Sequence, residues 1–420
     1  MPTSNDEAAE QEIEARRSRL SIPLDHFISP AQKSAIRAPI SEALTLPREA
    51  FLSEEFQQLE AERLFSKTWM SIEFAHSVSN VGDVLPLSIF GIPLLIVRDD
   101  EEKIRVFHNI GAHDACPIQF APGTGQKELV SPYHGWRYDL RGHLTAAPFW
   151  DGSKNPAIES MGDRAVGLEE IPSAIWCDTI FVNLSGNAQP FKDYISPVLT
   201  LFRGRDVSEL EVTSDREGNS FTSTYFSEGN WKTYMENTCI NIYHEGFVHQ
   251  LYRDSPDVPR VNVNGEKTFQ EVVDRGLLAL YFDLKDASET YPPMDAPSIT
   301  LPNGDVPTDM AICALFPNTN ITLTPQHITI EIARPLGATR TEIREASYLA
   351  KGASKRPNYL DLCAGIHRIG EIVAEEDGAM VAGVQSARQS PTHDQVFYSP
   401  FWDTLHYEFN NLILNALDSE

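Results

Sequence analysis

Between residues 70 and 185 the chain consists of short apolar runs that are separated by Gly, Pro and Asp residues. Runs of this kind, bounded by turn residues, are typical of antiparallel strands joined by tight connections. We therefore predict a small all-β domain over residues 50–185. Its strand candidates are VLPLSIF, IPLLIVRD, KIRVFHNI, WRYDL and DTIFVNLS.

Beyond residue 190 the pattern becomes mixed. A helical segment around Trp231–Phe247 precedes the strand-like runs LLALYFDL, MAICALF, NITLTP and HITIEIARP. This order predicts an α+β domain over residues 186–420, in which a sheet carries helices on one side. A long amphipathic stretch closes the chain, with one apolar face formed by Leu362, Ile366, Ile369 and Val373.

The start of the chain has a different composition. Residues 1–49 are polar and rich in Ala, Glu, Arg and Pro, so we expect an N-terminal arm rather than a domain. A helix is predicted over residues 53–68, because apolar side chains recur there at helical spacing. Glu54 and Glu55 give this helix the acidic first turn that a helix start prefers.

The balance of charges restricts the possible partners. The 420 residues include 34 Lys and Arg and 60 Asp and Glu, which gives a net charge of −26. A surface this acidic repels phosphate backbones and anionic membranes, so we expect neither nucleic acid nor a membrane as a partner. The longest apolar stretch, Val84–Val97, is too short and too interrupted for a membrane span. Five scattered cysteines and a polar start without an apolar leader favour a cytoplasmic location.

Two histidines in the segment NWKTYMENTCINIYHEGFVH form the first candidate site. His244 and His249 are five residues apart, which is wrong for one face of a regular helix, but an ending helix could still turn both rings to one ion. A third ligand could come from the run EEDGAMVAGVQ, which offers Glu375, Glu376 and Asp377. Two histidines and one carboxylate form the facial triad of non-haem Fe(II) oxygenases. By spacing alone, two unrelated structural histidines remain the alternative.

A second pair of histidines lies in the predicted β domain. His113 follows Gly111 and Ala112 in FHNIGAHDACP, and His134 precedes Gly135 and Trp136 in SPYHGWRYDLRGHL. Histidines on adjoining loops can hold a metal. The alternative is that both are loop histidines bonded to the backbone.

The chain resembles the α subunit of Rieske-type non-haem iron oxygenases, the ring-hydroxylating and N- or O-demethylating family. The resemblance runs over roughly residues 45–390, and its motifs come in the family's order: LPREAFLSEEFQQLEAERLF, YHGWRYDLRGHL, NWK…EN…YHEGFVH and EEDGAMVAGVQ. It implies a Rieske-like β domain followed by a helix-grip α+β domain with a long C-terminal helix. It also implies one mononuclear iron on His244, His249 and Asp377.

The chain departs from the family at the cluster loops. The family's loops read Cys-x-His and Cys-x-x-His, because a Rieske [2Fe–2S] centre needs two thiolates and two imidazoles. Here Gly111 and Ser131 stand at the two cysteine positions, while His113 and His134 remain. Cys116 is the only thiol nearby, so we expect no [2Fe–2S] cluster in this chain. A mononuclear metal on both histidines and Cys116 stays open as an alternative.

A second departure lies three residues before His244. The family carries an Asp or Glu there, which bridges a cluster histidine of one subunit to an iron histidine of the next. This sequence has Asn241, whose amide carries no charge to stabilise a protonated imidazole. We therefore expect a weakened electron path. Cys239, on the same segment, is expected to be a buried structural thiol.

The resemblance implies head-to-tail trimers that receive electrons from a ferredoxin and a reductase. The preferred hypothesis is a cluster-free subunit of a heteromeric oxygenase, whose partner is an intact Rieske α subunit that receives these electrons. One alternative is a non-catalytic structural or regulatory pseudo-enzyme. Another is a free-standing Fe(II) oxygenase that uses a different reductant. The substrate is expected to be a small organic molecule, and aromatic acids, sulfonates, quaternary amines and methyl ethers are all compatible with mono- or dioxygenation.

Overall fold

A computed structural model describes residues 22–419 apart from 239, 254, 256, 257 and 285–293. Cys239 and residues 1–21 of the expected arm lie outside these described residues. The α-helices of the described part are α1 Pro30–Ile36, α2 Glu49–Leu52, α3 Glu54–Arg63, α4 Phe191–Leu201, α5 Trp231–Thr238, α6 Glu245–Val248, α7 Tyr359–Ala387 and α8 Thr404–Asp418.

The segment before α2 packs along the last helix. Ile28 and Ile36 are fully buried in the same apolar core as Leu414 of α8. Lys33 and Arg37 form ion pairs with Asp418, at 2.6 and 2.9 Å. Residues 22–49 are therefore held against the C-terminal part of the chain.

The predicted all-β domain forms two antiparallel sheets. The first has the order β2-β3-β4-β8, and the second the order β5-β6-β7. Strand β3 reads as a continuous apolar run because both of its faces are buried: Leu94 and Ile96 join one core, and Leu95 and Val97 join the other. The strands are β2 Val84–Ile89, β3 Ile92–Arg98, β4 Ile104–His108, β5 Leu129–Val130, β6 Arg137–Tyr138, β7 Leu144–Ala146 and β8 Glu170–Ile171.

A third small sheet connects this domain to the rest of the chain. Its order is β1-β10-β9, with β1 Met70–Phe74, β9 Ser173–Trp176 and β10 Thr179–Val182. The side chain of Asn318 bonds to the backbone of Ser71 in β1, so this sheet is tied to the strands that follow.

The C-terminal domain is built on one large antiparallel sheet of order β11-β18-β17-β16-β15-β14-β13, with β12 also paired to β18. Side chains alternate across β17: Ile330 and Ile332 join the core that includes Val198 of α4, whereas Glu331 between them contacts Tyr234 of α5. The strands are β11 Glu211–Val212, β12 Thr222–Ser227, β13 Gln270–Asp274, β14 Leu277–Asp283, β15 Asp309–Leu315, β16 Thr319–Leu323, β17 His327–Gly337 and β18 Arg340–Leu349.

The long amphipathic stretch is the 29-residue helix α7, but two of its expected features are wrong. Ile369, expected on the apolar face with Ile366, is exposed, because the buried face of α7 runs through Cys363, Ile366, Asp377, Val381 and Gln385. The chain also continues into α8, whose apolar side chains are buried against α3 and the sheet. No helix of the described part has the length and apolar character to cross a membrane.

Candidate metal centre

The expected helix around Trp231–Phe247 is interrupted, and this interruption positions the two histidines. Helix α5 ends at Thr238, and the chain turns before the one-turn helix α6 begins at Glu245. His244 immediately precedes α6 and His249 immediately follows it. A spacing of five residues thus presents both rings on one side, which a continuous helix would not do.

Asp377 of α7 completes this cluster. Its Oδ1 atom lies 3.3 Å from Nε2 of His244 and 3.5 Å from Nε2 of His249. The three ligand atoms are all within 4.8 Å of one another. His249 and Asp377 are buried and His244 is half-buried, so the cluster lies inside the domain. Of the three adjacent carboxylates that the sequence offered, Asp377 is the one that faces both rings.

The neighbouring residue, Glu376, orients one of the rings. Its Oε2 atom accepts a bond from Nδ1 of His249 at 3.0 Å, and Oε1 accepts one from the Gln250 N–H at 3.3 Å. This contact fixes Nε2 of His249 as the nitrogen that faces Asp377. The sequence offered Glu376 only as an alternative ligand, and a carboxylate adjacent to a ligand is the signal for this orienting role.

Two buried polar atoms of the cluster have no hydrogen-bond partner among the described residues: Oδ1 of Asp377 and Nδ1 of His244. A buried carboxylate oxygen without a partner is costly, and a bound cation removes that cost. Two imidazole nitrogens and one carboxylate oxygen that converge in this way fit a divalent iron with open coordination positions.

Contacts between α5 and α7 fix the position of α7, which carries Asp377, relative to the segment that carries the two histidines. Oε1 of Gln385, two turns after Asp377, accepts bonds from the Asn230 N–H and the Thr233 hydroxyl, and its Nε2 donates to the Phe51 carbonyl. At the start of α5, Lys232 and Trp231 both donate to the buried carboxylate of Glu60. These side chains gave no sequence signal, because their partners are more than 150 residues away.

Next to His244, a buried ion pair fixes helix α6. Arg260 donates two hydrogen bonds to the carboxylate of Glu245, at 2.8 and 2.6 Å. Such a two-bond pair sets the orientation of the one-turn helix more rigidly than a single contact would.

An acidic groove of about 600 Å³ lies between β12 and α7. Its lining includes Glu228, Glu345, Glu371 and Glu375, together with Tyr225. Arg340 pairs with Glu228 and Arg368 pairs with Glu371. Within the described residues, Glu345 and Glu375 therefore remain as groove carboxylates without an ion-pair partner.

Gly378, the neighbour of Asp377 in α7, lines this groove, whereas His244, His249 and Asp377 are not among its lining residues. Tyr225 lines the groove, and its hydroxyl lies 3.0 Å from the hydroxyl of Tyr234. The hydroxyl of Tyr234 in turn donates to the carboxylate of Glu331. Burial raises the pKa of both tyrosines and of Glu331. The nearby charge of Asp377 raises the pKa of Tyr225 and Glu331 further.

The loops of the β domain bring the second pair of histidines together. The ring centroids of His113 and His134 are 4.8 Å apart. The carboxylate of Asp114 is the third member: its Oδ2 lies 2.6 Å from Nδ1 of His134 and 3.8 Å from Nδ1 of His113. Burial raises the pKa of Asp114, but bonds from the Cys116 N–H and from His134 outweigh it and hold that pKa below its usual value.

The structure does not form the alternative ligand set of His113, His134 and Cys116. Asp114, not Cys116, forms the ligand cluster with His113 and His134, and the Cys116 thiol points to the Pro117 carbonyl. The sequence analysis overlooked Asp114, although a carboxylate directly after a loop histidine is a visible signal. Two imidazoles and a carboxylate do not match the two thiolates and two imidazoles of a Rieske [2Fe–2S] centre.

Asn241 uses its side chain locally. Its Oδ1 atom accepts a hydrogen bond from the Tyr243 N–H at 3.0 Å. The amide oxygen is therefore turned onto its own chain, just ahead of His244.

Comparison with known protein families gives two matches along the chain. Residues 68–157 match the Rieske [2Fe-2S] domain, and residues 216–419 match the ring hydroxylating alpha subunit (catalytic domain). The first match covers the loops with His113 and His134. The second covers His244, His249 and Asp377.

Curated relatives share between 24% and 28% of the aligned residues in three of the matches. The chloroplastic choline monooxygenase of Beta vulgaris is 24% identical over 84% of this chain and 73% of its own length. The choline monooxygenase of Atriplex hortensis is 28% identical over 56% of this chain, a match that spans about half (52%) of that relative. The carnitine monooxygenase oxygenase subunit of Escherichia coli K12 is 26% identical over 54% of this chain and 59% of its own length.

Solved structures share the fold over nearly the whole chain. A naphthalene 1,2-dioxygenase from Rhodococcus sp. superposes with a TM-score of 0.70 at 16% identity, over 93% of this chain and 98% of that one. A quaternary ammonium Rieske monooxygenase with L-carnitine bound superposes with a TM-score of 0.69 at 18% identity, over 90% and 96%.

Proposed function

Because this chain belongs to the family of Rieske-type oxygenase α subunits, we propose that it holds one Fe(II) ion on His244, His249 and Asp377. In this proposal it is a cluster-free α-like subunit of a heteromeric oxygenase, with doubtful turnover of its own. An intact Rieske α subunit is its partner in a head-to-tail trimer or larger ring, and that partner receives electrons from a ferredoxin and a reductase.

The observation that carries the iron assignment is the buried Asp377 oxygen, which has two imidazole nitrogens within 3.5 Å and no hydrogen-bond partner in the described part of the chain. When bound, Fe(II) supplies open coordination positions at which oxygen and substrate meet. The residues around it perform separate tasks. Glu376 holds the ring of His249, and the Arg260–Glu245 pair holds the helix between the two histidines.

The absence of a cluster is supported by the ligands that remain at its loops. Gly111 has no side chain, and Ser131 offers a hydroxyl whose proton is lost far less readily than that of a thiol. Asn241 supports the same proposal, because its amide oxygen is bonded to its own backbone and carries no charge. With respect to turnover, both features favour the pseudo-enzyme alternative. The complete ligand set of His244, His249 and Asp377 favours retained iron binding.

For the substrate, we propose a small cationic organic molecule such as a quaternary amine. The groove beside α7 supports this class, because Glu345 and Glu375 lie in it with no basic partner among the described residues, and Tyr225 adds an aromatic face. Cations are attracted to carboxylates and to aromatic rings. The choline and carnitine monooxygenases among the relatives act on such cations.

The test is a metal titration. The full chain, stripped with a chelator, is titrated with Fe(II) under anaerobic conditions, and the variant Asp377→Asn is compared with Asp361→Asn, an exposed aspartate of the same helix. We expect Asp377→Asn to weaken iron binding by at least about 100-fold, since removal of a mere supporting residue already costs 10–100-fold. Asp361→Asn should bind like the unaltered chain. Equal affinity in all three proteins would refute the iron assignment.

A further inference from the structure

We propose that His113, Asp114 and His134 form a second metal site, which binds one divalent first-row transition-metal ion such as Zn²⁺. This site lies in the loops where the family holds its cluster, and it does not depend on the iron site of the C-terminal domain. The donor set is the same as that of the iron site: two imidazole nitrogens and one carboxylate oxygen.

The carboxylate is preorganised for this role by its own loop. Oδ1 of Asp114 accepts a bond from the Cys116 N–H at 2.9 Å, which leaves Oδ2 to face the two rings. The side chain of Asp114 is only 8% exposed, so its position is set by the loop rather than by solvent. Asp114 therefore presents one fixed oxygen to a ligand that approaches between the histidines.

The two rings are also held in place. His113 stacks on Trp136 with ring centroids 4.8 Å apart and planes 20° apart. The ring of His134 packs on the ring of Tyr133, with the two ring centroids 4.0 Å apart. The side chains of both histidines are more than a third exposed, so an ion can reach their nitrogens from solvent.

The distances suit a single small ion. Ligands about 2.0–2.2 Å from a tetrahedral ion lie about 3.3–3.6 Å from one another. The His113 nitrogen, at 3.8 Å from Asp114 Oδ2, is close to this separation, and the His134 nitrogen, at 2.6 Å, is held closer by a hydrogen bond that an ion would replace. Small rotations of the two partly exposed rings are enough to adjust both.

The residues at the two cysteine positions of the family are surrounded by groups that suit an aspartate ligand. A Cβ atom placed at Gly111 would lie 3.2 Å from Oδ1 of Asp114, so the carboxylate occupies the space next to the former ligand position. The Ser131 hydroxyl is buried and has no hydrogen-bond partner within the described residues. The loops are therefore arranged around an aspartate rather than around a pair of cysteines.

A zinc titration with matched variants tests the proposal. The full chain is stripped with a chelator and dialysed against Zn²⁺, and bound metal is counted by mass spectrometry. We expect two Zn²⁺ per unaltered chain, one in Asp377→Asn, one in Asp114→Asn and none when both changes are combined. His143→Ala removes an exposed loop histidine that is paired with Asp139, and this variant should keep two ions.

Co²⁺ provides the second readout, because its visible absorption reports the ligands directly. In the Asp377→Asn background, the Co²⁺ spectrum should disappear on the further change His134→Gln, with at least about 100-fold weaker binding. Asp114→Asn keeps an oxygen to accept the Cys116 N–H bond, and circular dichroism checks that both variants are folded. The proposal is overturned if Asp114→Asn and His134→Gln leave the metal count unchanged. It is also overturned if the chain as purified contains stoichiometric acid-labile sulfide.

Discussion

The carboxyl group of Glu345 illustrates how a single residue in the groove responds to pH. Burial, followed by the charges of Glu331 and Glu371, raises the pKa of Glu345 to about 8. His367 also lines this groove, and Arg344 precedes Glu345 but bonds to Glu73 and Thr224 instead. At neutral pH the folded protein therefore retains a proton on Glu345 that the unfolded chain releases near pH 4.3.

This difference predicts a decline of stability with rising pH. Since the folded state binds more protons than the unfolded state between about pH 4.3 and 8, the free energy of unfolding contributed by Glu345 falls as pH rises through that window. Glu345→Gln should remove the part of the decline that Glu345 contributes, on the order of a few kcal/mol at pH 8, while the part that comes from the raised pKa of Glu331 should remain. Urea unfolding at pH 5, 6.5 and 8 measures how the free energy of unfolding changes with pH. The control is Glu217→Gln, a change at an exposed glutamate. A slope that is the same in both variants would contradict this expectation.

The same proton links pH to ligand binding. A cation that binds beside Glu345 favours the ionised carboxylate, so binding of a quaternary ammonium probe should release a proton at pH 7 and tighten as pH approaches 8. Isothermal titration calorimetry in two buffers of different ionisation enthalpy detects the released proton. An affinity that is independent of pH in the unaltered chain would remove Glu345 from the cation site.

Secondary-structure elements were predictable where one periodic signal dominated. The large sheet follows from its apolar strand runs, and α3 follows from its spacing together with Ser53, whose hydroxyl accepts a bond from the Phe56 N–H. The gap between α5 and α6 was not predictable, because it depends on contacts that distant residues make with both short helices. Helix α8 was overlooked, although its buried face recurs at helical spacing.

In the candidate sites, too, some residues are indicated by the sequence and others depend on contacts between distant parts of the chain. The proposed metal ligands His244, His249 and Asp377 follow from motif and resemblance. Asp114 was also visible in the sequence, directly after a loop histidine, whereas the contacts of Gln385 required coordinates. Gln385 of α7 bonds to two other segments at once, the start of α5 and the end of α2. It lies eight residues after Asp377, and both side chains belong to the buried face of α7.

We expect Gln385→Ala to loosen the iron site although it removes no ligand. The change leaves the Asn230 N–H and the Phe51 carbonyl without partners, at a cost of about 1–3 kcal/mol each in buried surroundings. Fe(II) affinity should fall by about 10–100-fold, as for other supporting residues of metal sites. The control is Gln389→Ala, an exposed glutamine just beyond α7. If Gln385→Ala lowers stability but leaves the affinity unchanged, its role is structural only.

At the scale of the whole molecule, the chain carries two similar clusters of two histidines and one aspartate, one in each domain. In a head-to-tail ring, the β domain of one subunit would face the C-terminal domain of the next. This chain would then place its Asp114 loops, without a [2Fe–2S] cluster, next to the iron site of its neighbour. Its own iron site would face an intact cluster only when the neighbour on that side is an intact α subunit. In such a mixed ring, the supply of electrons would therefore be directional.

The final expectation concerns that mixed ring. When this chain is assembled with an intact α subunit and supplied with ferredoxin, reductase and oxygen, turnover should come mainly from the partner's iron, because Asn241 lacks the charge that bridges cluster and iron. Asp377→Ala in this chain should then change the turnover rate by less than about twofold, whereas removal of an iron ligand in the partner should abolish it. Alone, this chain should consume no substrate with the same reductants. If Asp377→Ala abolishes turnover while the partner's iron ligands are dispensable, this chain is the catalytic subunit, and Asn241 is then compatible with electron transfer.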